Sequence, residues 1–157
     1  MEIEQIKPSE AALTLVYKTI WQRLPNKSFV SGLWLRTYYG TPLFFNCFHH
    51  VLPEDKYKFF KYYFGNIILL TPGESALLKQ GTEEERISYA LDLECQSRNK
   101  VTAEWNAVKE IESDLKKLYA NSFPTTRGMF VNYRYTIEDQ ARIIGKLNAQ
   151  FWKDFQK

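Results

Sequence analysis

Long apolar runs are missing from this sequence, and so are most of the residues on which recognisable chemistry depends. The nearest approach to a continuous apolar stretch, Asn66–Leu70, falls far short of the roughly 18 residues that a membrane-spanning helix requires. The opening MEIEQIKPSE carries acids and no apolar core, which predicts no secretory signal. Two cysteines, Cys47 and Cys95, supply neither a disulfide framework nor a metal-ligand spacing, and they read as reduced thiols of a cytoplasmic protein. Asn26-Lys27-Ser28 fits a glycosylation acceptor by pattern alone, with nothing else pointing to secretion. Glycine and proline are scarce, at 7 and 6 residues. That scarcity argues against a turn-rich β-sandwich and for long elements with few breaks.

The catalytic repertoire is equally thin. There is no G-x-G-x-x-G, no phosphate-cradling G-x-x-x-x-G-K, no H-E-x-x-H and no C-x-x-C. No two acids lie three residues apart, which removes the carboxylate boxes that helical bundles use to hold metal ions. Glu110 and Asp114 share a helical face, but beside Lys109, Lys116 and Lys117 they read as a solvated charged surface. No catalytic constellation or metal site emerges, and no cofactor is implied.

What is present is an ordinary globular composition, 45% hydrophobic and 25% charged over 157 residues, which predicts a single domain over residues 1–157. The net charge of +3 is too small to require a polyanionic partner. Its distribution is uneven: residues 82–118 hold 9 acids against 6 basic residues, and residues 119–157 hold 6 basic residues against 3 acids.

Apolar spacing predicts a helix over Ser9–Leu24 with Ser9 as its cap, ended by Pro25 and Asn26. Gly40 as a C-terminal stop favours a helix over Phe29–Tyr39, and two prolines open short helices over Pro42–Val51 and Pro53–Phe64. Ile67–Leu70 reads as a buried strand or an extended connector. Thr71–Glu74 and Thr82–Glu85 match capping boxes. Residues 82–121 contain no proline or glycine, and they form one very long helix or two that meet near Arg98-Asn99-Lys100. Such a regular apolar stripe wants a partner helix, in the same chain or another. Met129–Tyr135 alternates with period two, as a strand or an extended loop does, and Thr136–Asp139 caps a last helix from Ile137 to Phe155. The expected fold is mainly α, a compact helical bundle of about six helices, with room for a minor two-stranded β element pairing Ile67–Leu70 with Met129–Tyr135.

The least ordinary feature is aromatic. Residues 34–64 hold 12 of the 25 aromatic side chains. Short helices cannot bury rings on every side against one core, so part of this set is expected to form a second apolar surface. The candidates for ligand binding or an interface are Trp34, Tyr38, Tyr39, Phe44, Phe45, Phe48, His49 and His50. Tyrosine suits an interface or pocket rim, where one end of the ring stays wet. Two readings follow. The first is a helical protein-interaction or regulatory domain that acts through protein contacts and is expected to self-associate as a homodimer. The alternative is a carrier or sensor of a hydrophobic small molecule, such as a haem-like tetrapyrrole, with His49 or His50 as its polar handle. Asp55–Phe64 interleaves lysines with rings as nucleic-acid surfaces do, but Glu54, Lys58 and Lys61 share one helical face and read as a solvated back.

Overall fold

The computed structural model describes residues 10–94, 97–124 and 135–155. Among these, the regular structure consists of five α-helices and one two-stranded antiparallel sheet. The mainly helical class holds, with fewer helices than the six expected. Helix α1 spans Glu10–Arg23 and buries Val16 and Ile20 completely; its expected cap, Ser9, lies outside the described residues. The Asn26 amide, oriented to satisfy the network, donates to the carbonyls of Trp21 and Leu24 at 2.8 and 3.2 Å, which stops the chain just past the helix.

None of the three helices expected between Phe29 and Phe64 forms. Short 3₁₀ turns stand in their place at Arg36–Tyr38, Phe44–Cys47, Lys58–Phe60 and Phe64–Asn66, and strand β1 covers Phe48–His50. The turns at Arg36, Phe44 and Lys58 have no side-chain cap of the kind that starts the nine-residue α2, and aromatic residues lose rotamer freedom in a helix. Gly32 and Gly40 adopt left-handed φ of 74° and 79°, conformations that interrupt a right-handed helix.

The backbone groups that a helix would have paired are taken up by side chains. Buried Asn66 accepts from Leu52 N–H at 2.8 Å and donates to the carbonyls of Leu52 and Phe60, both at 3.2 Å. Buried Asn148 accepts from Phe64 N–H at 2.8 Å and donates to the Tyr62 carbonyl at 3.1 Å. A primary amide offers both a donor and an acceptor, so one side chain replaces several lost helical bonds.

Strand β2, Ile67–Leu69, pairs antiparallel with β1 in the register Phe48↔Leu69, His49↔Ile68 and His50↔Ile67. Of the partner expected for it, residues 129–134 lie outside the described residues, and Tyr135 is in no strand. The Leu69 carbonyl also accepts from Phe29 N–H at 2.8 Å, which ties the turn at Phe29 to β2.

The three Thr-x-x-acid caps form, whereas Gly40 ends no α-helix. Helix α2, Pro72–Gln80, begins at a reciprocal capping box between Thr71 and Glu74. Helix α3, Glu83–Glu94, begins with Glu85 N–H on the Thr82 hydroxyl at 3.2 Å. Helix α4 runs Arg98–Ser122, so the long stripe is two helices rather than one. Helix α5, Ile137–Phe155, opens with Asp139 N–H on the Thr136 hydroxyl at 3.0 Å.

The chain divides into two compact units, each assembled from separate stretches of sequence. One comprises residues 1–20, 52–66 and 112–157. Its interior is aromatic: Phe60 packs edge-on to Tyr119 with ring centroids 4.9 Å apart, Phe59 stacks on Phe123 at 4.7 Å, and Phe64 meets Trp152 at 4.8 Å. The other comprises residues 21–51 and 67–111. Its core is mainly aliphatic, built from Val30, Ile68, Leu70, Ile87, Ala90, Val101, Trp105 and Val108.

Asn148 has no exposed surface, so Asn148→Ala strands the Phe64 N–H in an apolar interior. The expected loss is about 1–3 kcal/mol of unfolding free energy, read as a lower midpoint in urea at unchanged slope. A midpoint shift no larger than that of Lys146→Ala, an exposed control on the same helix, would contradict the bonding scheme.

Candidate functional site

Within the second unit, residues 26–35 fold back on themselves. Lys27 and Trp34 form an antiparallel bridge, Ser28 N–H donates to the Leu33 carbonyl at 2.8 Å, and Leu35 N–H donates to the Asn26 carbonyl at 2.7 Å. The bridge brings the Lys27 ammonium 4.3 Å from the centroid of the Trp34 ring, and the Arg36 guanidinium lies 4.4 Å from it. Both are cation–π distances. Neither cation has a carboxylate partner among the described residues.

The turns that follow build an aromatic platform. Phe44 and Phe48 are buried, and Phe44 stands edge-on to Trp21, Tyr39, Phe45 and Phe48, with centroids 4.9 to 5.3 Å apart. Tyr39 also stacks on Trp21 at 6.0 Å. Four large side chains between Trp34 and Phe45 remain open to solvent: Trp34 at 47%, Tyr39 at 65%, Leu43 at 47% and Phe45 at 51%. They belong to loops whose conformation is pinned by turn chemistry. The Thr41 hydroxyl donates to the Tyr38 carbonyl at 2.6 Å and accepts from Leu43 N–H at 3.2 Å.

Beneath this surface is a buried polar cluster. Glu74 has no exposed surface. Its Oε1 accepts from the Ser28 hydroxyl at 2.7 Å and from Thr71 N–H at 2.8 Å. Its Oε2 is buried with no hydrogen-bond partner among the described residues. The Ser28 hydroxyl accepts in turn from the amides of Val30 and Ser31 at 3.2 and 3.1 Å. Cys47 is a free, fully buried thiol; burial, and then the Glu74 carboxylate, push it up to about 11. His49 is buried with Nδ1 3.1 Å from the Ser75 hydroxyl, and burial, reinforced by Lys79 and His50, holds it down at about 4. At neutral pH it is therefore an uncharged core histidine.

The structure brings Tyr39, Phe44, Phe45 and Phe48 together in one ring cluster. Trp34 stands with its two cations, and Tyr38 is half-buried with its hydroxyl raised by desolvation and then by Tyr89, Cys47 and Glu74. His49 and His50 sit in β1, with His49 turned to Ser75. Of the 12 rings in residues 34–64, only Trp34, Tyr39 and Phe45 are exposed. Sequence reading missed Lys27, Arg36 and Leu43 at the surface, and it took Glu74 only as a capping residue and Ser28 only as part of a glycosylation triplet. One signal was available: residues 11–53 contain no Asp or Glu, so any carboxylate near the exposed rings has to come from elsewhere in the chain, as Glu74 does.

Two measurements follow. The unfolded chain binds a proton at His49 below pH 6.5 and the folded chain does not until about pH 4. Stability is thus complete above pH 6.5 and falls through this window by up to about 1.4 kcal/mol per pH unit. Urea midpoints in His49→Gln lack this component, and an identical pH slope in both proteins would contradict the assignment. In a Cys95→Ser background, Cys47 reacts with a disulfide reagent at pH 8 at least about 100-fold more slowly when folded than when unfolded, through its depleted thiolate and its burial. Equal rates would place the thiol at the surface.

Comparison with known protein families, with characterised proteins and with solved structures finds no match to this chain.

Proposed function

We propose that the chain is a protein-interaction domain with a regulatory rather than a catalytic role, and that its contact surface is the exposed aromatic face between Trp34 and Phe45. The observation that carries this reading is the half-exposure of Trp34, Tyr39, Leu43 and Phe45 within twelve residues, with Tyr39 and Phe45 held on the buried Phe44 ring. Aromatic anchors on a firm base supply large contact area with little ordering cost, which is the character of residues that dominate binding energy.

Self-association is the form expected from the long apolar stripe, but much of that stripe is spent inside the chain: Val101, Trp105, Val108 and Leu115 of α4 are all buried. The aromatic face is what remains for a second copy. A second copy adds its own Lys27 and Arg36 to the interface and no exposed acid from the same stretch of sequence, which disfavours the homodimer. A protein of different sequence is the better fit, and a second copy is the alternative. The carrier reading has less support, because Phe44 and Phe48 pack on neighbouring rings and His49 is engaged by Ser75.

Replacing Phe45 with a photo-reactive phenylalanine in cells expressing the chain tests this. A discrete protein adduct is expected from position 45, lost on Tyr39→Ser and absent from the exposed control position Lys109. Sedimentation of the adduct-free protein separates a second copy from a different partner. Indistinguishable smears from both positions would remove the interaction surface.

A further inference from the structure

Resting on the reading of residues 34–45 as an interaction surface, we infer that this surface takes an acidic protein segment bearing apolar side chains, with Lys27 and Arg36 as its charge-reading residues. Exposed tyrosine, leucine and phenylalanine accept apolar groups, and exposed cations at the Trp34 ring accept carboxylates. The cations are uncommitted: neither has an acidic partner among the described residues, and no Asp or Glu occurs from residue 11 to residue 53. An isolated like-charged pair beside exposed rings gains most when the incoming chain carries the opposite sign.

The spacing suits a short segment. Trp34 and Tyr39 are five residues apart, so their Cα atoms are no more than about 17 Å apart. A helix of about twelve residues is ~18 Å long and presents acids and apolar side chains on neighbouring faces. Nucleic acid fits less well. The Trp34 π-surface already carries two cations, which compete with a stacking base, and two phosphate contacts yield a salt slope of only about −1.4 for a single strand. A second copy brings the same cations to the same surface.

Fluorescence anisotropy with a labelled amphipathic peptide tests the inference. The probe's polar residues are all glutamate and its apolar residues are leucine and phenylalanine; the control replaces every glutamate with lysine. The glutamate peptide is expected to bind at least about tenfold more tightly than the lysine peptide at low salt, and to weaken as salt rises. The double variant Lys27→Glu, Arg36→Glu reverses that preference, and Lys27→Gln, Arg36→Gln abolishes it. Both alter exposed side chains, and circular dichroism confirms that the fold is retained. Phe45→Ser weakens binding without changing the preference.

Equal binding of the two peptides, no binding of the glutamate peptide, or a preference untouched by the charge variants overturns the inference. The Phe45 crosslinking result is then unaffected, so the broader reading stands or falls separately. Tighter binding of a single-stranded oligothymidylate overturns it in favour of nucleic acid. Self-association that Phe45→Ser abolishes overturns it in favour of a second copy.

Discussion

The buried carboxylate of Glu74 is the constraint on which the second unit depends. A carboxylate without solvent contact is costly unless it is hydrogen-bonded; here Oε1 accepts from both the Ser28 hydroxyl and the Thr71 amide, while Oε2 has no partner among the described residues. The same side chain therefore starts α2 and ties down the 26–35 fold-back, 46 residues earlier in the chain. Through that tie it sets the bridge that places Lys27 beside Trp34. Its charge also reaches Cys47, where it adds to burial in keeping the thiol protonated. A local capping signal thus has a tertiary consequence that its own four residues do not show.

The first unit meets a similar difficulty with neutral groups. Its 52–66 stretch has aromatic side chains that belong in a core and a backbone that does not form a helix to carry them there. Asn66 and Asn148 supply the missing donors and acceptors, so Phe60 and Phe64 are fully buried without leaving their neighbours' peptide groups unpaired. Asn148 lies on α5, and its two bonds fasten that helix to the turn that precedes β2. Polar side chains buried at 0% exposure are here the means by which irregular backbone becomes interior.

These clamps also explain why half-exposed rings are a surface rather than loose ends. Tyr39 and Phe45 rest on Phe44, which rests on Trp21 and Phe48. The turns beneath them are closed by Thr41 and by the left-handed Gly40. Little conformational freedom is left to lose on binding, which favours contact with a partner over simple solvation.

Local signals determined the helices: α1, the α3–α4 stripe and α5 are written in apolar spacing, and α2, α3 and α5 open on Thr-x-x-acid signals, because a helix satisfies its own backbone and needs only one apolar face. The extended character of Ile67–Leu70 was legible for the same kind of reason, in a short run of β-branched and aliphatic residues. The aromatic middle was not. Phe29–Phe64 carries helical spacing by composition, yet its turns are held by Ser28 and Asn66 at its two ends and by Glu74 and Asn148 from farther along the chain, through bonds that local spacing does not reveal. The pairing of β2 with β1 was likewise undecidable locally, since strand partners are chosen by whatever the rest of the chain brings alongside. That some rings had to face outward could be argued from their number alone. That they are Trp34, Tyr39 and Phe45, with Leu43, Lys27 and Arg36 among them, was decided only by tertiary structure, because exposure depends on which neighbours fill the space around a ring.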